Sequence, residues 1–155
     1  MKVYRIARPE FVEDLSGYGA SMHGGRWNSK YTSLLYTSET ASLAILELLA
    51  YLEDAPIPYQ LIELNISKGD IMSIYDLGLN LPHNWANDRT GKQLTQKIGN
   101  DWVNNSTSAI LKVPSIHNPF EHNYLINPVH KSLKIEISQK SWYLYDYRLV
   151  EKSND

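Results

Sequence analysis

No cysteine occurs among the 155 residues of the chain, which excludes disulfide bonds, thiolate catalysis and the common structural zinc sites. An excess of either charge is also missing, because 15 Lys and Arg residues stand against 17 Asp and Glu residues. This balance gives no general attraction to a phosphate backbone and argues against direct nucleic-acid binding. The longest apolar segment, residues 43–52, is interrupted by Glu47 and is too short to span a bilayer.

The first ten residues, MKVYRIARPE, do not contain the apolar core of a secretion signal. The absence of cysteine fits a reducing compartment. We therefore expect a cytoplasmic protein that does not contact a membrane.

The usual ligand motifs are missing as well. The five histidines show neither HExxH nor another recognised ligand spacing, so we expect no metal site. The chain also lacks a Walker glycine-lysine loop and a Rossmann glycine fingerprint. Any nucleotide must therefore be held in another way.

Phenylalanine is scarce, with two residues against 11 tyrosines and four tryptophans. A buried Tyr hydroxyl or Trp N–H needs a hydrogen-bond partner, so we expect some of these rings to line a polar pocket or an interface. The alternative is that they lie half-buried on strands. With 43% hydrophobic and 21% charged residues, the composition is that of a globular protein. We predict one domain over residues 1–150 and a flexible tail over 151–155.

Hydrophobic periodicity predicts both strands and helices. One helix is expected to begin with Ser38 as its N-cap and to end before Pro56, and a second, interrupted or weakened at Gly99, contains Leu94 and Trp102. The predicted strands are residues 2–7, 33–37, 59–66, 71–77, 108–113, 123–127, 133–137 and 142–149. These elements do not alternate regularly. The order favours an α+β fold, with mixed or antiparallel sheets and a few helices in one compact domain.

Residues 16–33 contain four of the eight glycines and are predicted to form a long functional loop. Within it, the segment Gly24-Gly25-Arg26-Trp27-Asn28 combines paired glycines, which allow close approach to a ligand, with an arginine that can bind phosphate or carboxylate. The alternative for Arg26 is a surface salt bridge beside a packed tryptophan.

Glu47 is the second candidate, because it is the only residue of LAILELLAYL that is neither apolar nor small. A carboxylate beside a core stripe needs a partner or a cavity. It could bind a ribose hydroxyl or stabilise the positive charge that develops when a glycosidic bond breaks. The alternative is a solvent-facing residue on the rim of the helix.

Hydroxyl groups supply the remaining candidates. Tyr36 and Ser38 lie where a strand meets a helix N-terminus, a position suited to anions, although capping alone would also account for Ser38. Ser108 and Ser115 flank a predicted strand, and neither has the glycines of a nucleophile elbow. Hydrogen bonding is therefore favoured over covalent catalysis.

The segments GGRWN, LYTSE, LAILELL, LKVPS and NYLINPVH, in this order and spacing, resemble the RES domain family. The resemblance extends from Tyr4 to Leu149. It implies a fold similar to ADP-ribosyltransferase toxins and a toxin that degrades NAD⁺ by hydrolysis or phosphorolysis. The implied partner is a cognate antitoxin with an Xre-like DNA-binding domain, so a hetero-oligomer is expected.

By position, the resemblance assigns the family arginine to Arg26, the tyrosine to Tyr36 and the glutamate to Glu47. Ser115 is the best match for the family serine, with Ser108 as the alternative. These four are the expected catalytic residues, and NAD⁺ is expected to contact Arg26, Trp27, Tyr36 and Ser38 without a metal. Tyr31 replaces a residue that is commonly small in the family and is expected to narrow the pocket mouth.

Two other functions remain open on the sequence alone. The protein could transfer ADP-ribose to a target protein, or it could bind a nucleotide without turnover. The sequence does not decide whether water, phosphate or a protein side chain accepts the ribose.

Overall fold

A mixed seven-stranded sheet with three helices organises the computed structural model, which describes residues 1–50, 52, 58–87, 89–144 and 146. Along the chain the elements are β1 (Lys2–Ala7), α1 (Tyr18–His23), β2 (Leu35–Ser38), α2 (Ala41–Leu49), β3 (Tyr59–Lys68), β4 (Ile71–Ser73), α3 (Arg89–Asn104), β5 (Ile110–Pro114), β6 (His122–Ile126) and β7 (Lys134–Tyr143). The strand order is β4-β5-β6-β2-β1-β3-β7, and only the β4–β5 pair is parallel. The predicted α+β fold is confirmed, with one sheet.

The central strands β5 and β6 are buried on both faces of the sheet. Their register pairs Ile110 with Ile126 and Leu111 with Leu125. Because successive side chains point to opposite faces, the first pair joins the apolar cluster around β1 and β3, whereas the second joins the cluster around α3. The sheet therefore separates two cores, and the site described below uses residues near the ends of β2, β5 and β6.

Helix α3 is continuous through Gly99, so the helix is not interrupted there. A Cβ atom on Gly99 would lie 1.8 Å from the carbonyl oxygen of Trp27, and one on Gly91 would lie 2.0 Å from that of Trp85. Glycine at both positions lets the helix approach two loop backbones closely. The packing of α3 against the GGRWN loop offsets the low helix propensity of glycine.

Helix α2 begins later than expected, since its N-cap is Thr40 and the prediction of Ser38 is wrong. Thr40 has an extended backbone and its side chain accepts a hydrogen bond of 3.0 Å from the Leu43 N–H. Ser38 cannot cap the helix because it still belongs to β2, where it pairs with Asn123 of β6. The predicted helix end before Pro56 lies outside the described residues.

Three other boundaries differ from the prediction. The loop over residues 16–33 contains the short helix α1. Strand β4 ends at Ser73 because the Asp76 carboxylate accepts hydrogen bonds from the backbone N–H and the hydroxyl of Ser73, which turns the chain. The two last predicted strands meet in β7, and residues 145, 147–149 and the tail 151–155 lie outside the described part. No described helix has the length and apolar character needed to cross a membrane.

Candidate functional site

A cleft of about 670 Å³ opens between α1, the GGRWN loop, β2, α2 and the first turns of α3. Five residues predicted from the sequence line this cleft: Arg26, Trp27, Tyr36, Ser38 and Glu47. Ser115 contacts the cleft through the Glu47 side chain. The fold thus brings together residues that lie far apart in the sequence.

Glu47, in the last turn of α2, contacts three side chains. Its Oε1 accepts hydrogen bonds from the Ser115 hydroxyl at 2.8 Å and from the Asn123 Nδ2 at 2.6 Å. The Nε2 atom of His117 lies 3.4 Å from Oε2, an electrostatic contact. The Glu47 side chain is 24% exposed. Oε2 accepts no hydrogen bond from the described residues, which leaves this oxygen for a ligand.

Ser115 follows the last residue of β5 and is 5% exposed. Its Oγ accepts hydrogen bonds from the backbone N–H groups of His117 at 3.0 Å and Asn118 at 3.2 Å. These two donors direct the hydroxyl proton toward Glu47. Ser115 is therefore arranged to position a carboxylate, because its hydroxyl proton is already used in the hydrogen bond to Glu47.

Ser108, the alternative match, lies in the core away from Glu47. It is fully buried, accepts a 2.8 Å hydrogen bond from the Trp102 Nε1 and donates one of 2.9 Å to the Ile110 carbonyl. The structure therefore brings Ser115 to Glu47 and leaves Ser108 with a packing role.

Asn123 connects Glu47 to Ser38. Its Oδ1 accepts a hydrogen bond of 2.8 Å from the Ser38 hydroxyl, which fixes the amide so that Nδ2 faces Glu47. Ser38 and Asn123 are direct partners in the β2–β6 register. Sequence reasoning missed both Asn123 and His117. A polar residue at the start of the apolar strand NYLIN is the only signal that marks Asn123.

Tyr36 fixes the GGRWN loop from strand β2. Its hydroxyl donates a 2.7 Å hydrogen bond to the Asn28 Oδ1 and accepts one of 3.0 Å from the Trp27 N–H. A Cβ atom on Gly25 would lie 2.5 Å from this hydroxyl, so glycine is required for the approach. Asn28 is fully buried and also donates to the carbonyls of Ala20 and Thr32, which ties the loop to α1.

Arg26 binds a neighbouring loop. Its two Nη atoms donate hydrogen bonds to the carbonyl oxygens of Trp85, at 3.2 Å, and Ala86, at 3.1 Å. Carbonyl groups do not neutralise the guanidinium, and no carboxylate lies within 4.0 Å of it in the part of the chain that the structure describes. A guanidinium has five N–H donors, and the described residues accept from two of them. The expected alternative of a surface salt bridge is not found among these residues.

Trp27 and Tyr31 occupy contrasting environments. Trp27 is 3% exposed, packs against Trp85 with ring centroids 5.9 Å apart, and belongs to the core beside α3. Only a small part of its side chain can face the cleft. Tyr31 is 91% exposed and is not among the residues that line the cleft, so its expected narrowing of the mouth is wrong.

Three cationic side chains line the cleft within the described ranges, namely Arg5, Arg26 and Lys92. Burial lowers the pKa of the Arg5 guanidinium, whose Nη1 donates to the carbonyls of Phe11 and Val12. Lys92 is exposed and was not singled out from the sequence. As for metals, no group of three His, Asp or Glu side chains among the described residues is arranged to hold an ion.

The chain is similar to known proteins over nearly its whole length. The family model described as the RES domain matches residues 2–146. Toxin Res of Yersinia enterocolitica is 34% identical over 154 residues, covering 96% of this chain and 99% of the relative. The Prs ADP-ribosylating toxin of a Sphingobium species is 32% identical over 152 residues, covering 95% and 93%.

A solved structure supports the fold. A chain of the crystal structure of the M. tuberculosis MbcT–MbcA toxin–antitoxin complex aligns with a TM-score of 0.65 at 16% identity, covering 92% of this chain and 83% of that chain. The family model, the near full-length relatives and the shared fold agree. The chain belongs to the RES domain family.

Proposed function

We propose that this RES domain is the toxin of a toxin–antitoxin pair and that it cleaves the bond between nicotinamide and ribose in NAD⁺. The observation that carries the proposal is the carboxylate of Glu47, held by Ser115 and Asn123 in a cleft that also contains Arg26. The cleft volume of about 670 Å³ lies within the range of small-molecule sites, about 300–1,000 Å³.

Cleavage of NAD⁺ places positive charge on the ribose. The bond between the ribose C1′ and the pyridinium nitrogen breaks, and nicotinamide leaves as a neutral molecule with the bonding electron pair. Glu47 stabilises the resulting oxocarbenium-like ribose, and its open Oε2 can accept a ribose hydroxyl hydrogen bond. An acceptor such as water then adds to C1′ and loses a proton.

The residues around Glu47 contribute orientation. Two hydrogen bonds at 2.8 and 2.6 Å hold Oε1, so the carboxylate is fixed before the substrate binds and does not reorganise during the reaction. Arg26 provides positive charge and the N–H donors that the described residues do not use, for the phosphates or an adjacent ribose. Tyr36 keeps the loop that carries Arg26 in place. Nicotinamide is a good leaving group, so no metal and no strong general acid is required.

The direct test is nicotinamide release from NAD⁺ by the purified, antitoxin-free protein, followed by chromatography. Glu47→Gln keeps the shape and the hydrogen bonds but removes the charge, and we expect its rate to fall at least ~100-fold. Circular dichroism and a thermal melt check that this variant is folded. Unchanged NAD⁺ with the folded wild-type protein refutes the cleavage reaction.

ADP-ribosylation of a protein is the second candidate, favoured by the 32% identity to the Sphingobium ADP-ribosylating toxin. Both reactions share the cleavage step and differ only in the acceptor. With NAD⁺ labelled in the ADP-ribose part, transfer puts the label on a protein band, whereas hydrolysis puts it in free ADP-ribose. Thermal stabilisation by NAD⁺ without nicotinamide release, unaffected by Glu47→Gln, would indicate a binding module.

A cytosolic enzyme that consumes NAD⁺ harms its host unless it is blocked, so we propose a cognate Xre-like antitoxin as the partner in a hetero-oligomer. An antitoxin carboxylate bound to Arg26 through the donors described above would exclude the substrate. Co-expression with the adjacent reading frame, followed by size-exclusion chromatography and a growth assay, tests this partnership.

A further inference from the structure

We propose that Lys92 binds the diphosphate of the dinucleotide together with Arg26. This inference rests on the proposed function and names a residue and a ligand group for the same cleft. The starting observation is that Lys92 lines the cleft and is exposed. Its ammonium group has no hydrogen-bond or ion-pair partner among the described residues.

The position of Lys92 follows from the packing of α3. Gln96, one turn further along the helix, donates hydrogen bonds from Nε2 to the carbonyl oxygens of Gly25, at 2.9 Å, and Asn28, at 3.2 Å. Residues four apart lie on the same face of a helix. Lys92 therefore projects from the face that packs on the GGRWN loop, on the same wall of the cleft as Arg26.

The other two cations are already engaged. Arg5 is half-buried, and its Nη1 donates hydrogen bonds to the carbonyls of Phe11 and Val12. Arg26 uses one N–H of each Nη atom on Trp85 and Ala86. Among the described residues, Lys92 alone of the three has no partner for its charged group, and a lysine ammonium binds phosphate as a point charge.

The charges of Glu47, Arg26 and Lys92 match the two ends of the substrate. The nicotinamide ring of NAD⁺ is cationic and requires the Glu47 carboxylate, whereas the diphosphate is anionic and requires cations. Lys92 and Arg26 lie on a wall formed by α3 and the GGRWN loop, and Glu47 lies on α2. The geometry assigns the diphosphate to the Lys92 and Arg26 wall.

ADP is the probe, because it carries the diphosphate and its binding does not require turnover. Calorimetry on the Glu47→Gln protein measures its affinity, and Lys92→Gln in that background should weaken binding about 10- to 100-fold, the loss expected for one charge-assisted contact. Lys92→Arg should keep most of the affinity. The matched control is Lys97→Gln, which removes an exposed lysine of the same helix that pairs with Asp101; it should bind ADP as before.

Steady-state kinetics give a second readout. Lys92→Gln should raise the KM for NAD⁺ and leave turnover of nicotinamide riboside, which has no phosphate, unchanged. Equal ADP affinity in Lys92→Gln and its parent overturns the assignment. Dependence on Lys92 for inorganic phosphate but not for ADP also overturns it, because the residue then serves a phosphate acceptor.

The two proposals fail differently. Lys92-dependent ADP binding without any nicotinamide release leaves the diphosphate site standing and removes the cleavage reaction. Nicotinamide release that does not depend on Lys92 keeps the cleavage reaction and removes the diphosphate site. A wild-type protein that neither binds ADP nor consumes NAD⁺ overturns both.

Discussion

Ser115 and Ser108 offer a paired test, because both are buried serines at the ends of β5 and only one contacts the carboxylate. The Ser115 hydroxyl donates to Glu47 and accepts from two backbone N–H groups, whereas Ser108 accepts from the Trp102 Nε1. Each is replaced separately by alanine. The two variants should then separate catalysis from stability.

The magnitudes follow from the bonds that are lost. A hydrogen bond to a charged group contributes about 1.5–3 kcal/mol, so Ser115→Ala should lower kcat for nicotinamide release roughly 10- to 100-fold. Loss of the acceptor for a buried indole N–H in Ser108→Ala costs about 1–3 kcal/mol of folding stability. Its kcat should stay near the wild-type value.

The assay measures kcat at saturating NAD⁺ at a temperature where both variants are folded, and urea denaturation gives the free energy of unfolding. If Ser115→Ala retains the wild-type kcat, or if Ser108→Ala lowers kcat equally, Ser115 does not position Glu47 for the reaction. Asn123 still holds Oε1 in the Ser115 variant, so a complete loss of activity without unfolding would also contradict the magnitude.

Three further predictions address the loop, the partner and acid stability. Gly99→Ala places a Cβ against a backbone carbonyl at 1.8 Å and should destabilise the fold by more than ~3 kcal/mol, whereas Gly19→Ala, with open space around it, should be neutral or stabilising; urea denaturation compares them. Arg26→Ala should abolish NAD⁺ cleavage and weaken the antitoxin complex by ~2–5 kcal/mol if that charge pair is buried, and calorimetry showing full affinity would place inhibition elsewhere. The hydrogen bond from Ser132 lowers the pKa of Asp70 below its ordinary value of 3.8, so the unfolded carboxylate binds its proton more tightly. This contribution to stability is present above pH 3.8 and is lost as the pH falls through the lowered pKa. Ser132→Ala should therefore flatten the loss of stability in acid, and identical pH profiles of thermal melts for the two proteins would contradict this.

Local patterns in the sequence predicted the elements that carry their own periodicity. β1, β3 and α3 appear close to their expected positions because alternation or helical spacing of apolar residues is a property of the segment itself. The prediction was wrong where contacts with residues distant in the sequence determine the local structure. The sequence pattern predicts Ser38 as the N-cap of α2, whereas its pairing with β6 keeps it in strand β2.

The same division applies to the site. Arg26, Tyr36 and Glu47 could be singled out because a glycine-rich loop, a strand end and a lone carboxylate in an apolar helix are visible along the chain. Asn123 and His117 could not, since their contact with Glu47 depends on the β2–β6 register and on the turn after β5. In the sequence, Lys92 cannot be distinguished from any other exposed lysine of a helix. Only the structure shows that Gln96 binds the same helix face to the GGRWN loop.

The sequence by itself determined the α+β class, the family and the residue types available for chemistry, because composition, periodicity and ordered motifs require no knowledge of distant contacts. Tertiary structure alone decided which serine holds Glu47, that Gly99 serves close packing, and which cation of the cleft has no partner among the described residues. The physical reason is that hydrogen bonds are specific over about 3 Å, and only the packed sheet and helices bring side chains some 70 residues apart within that distance.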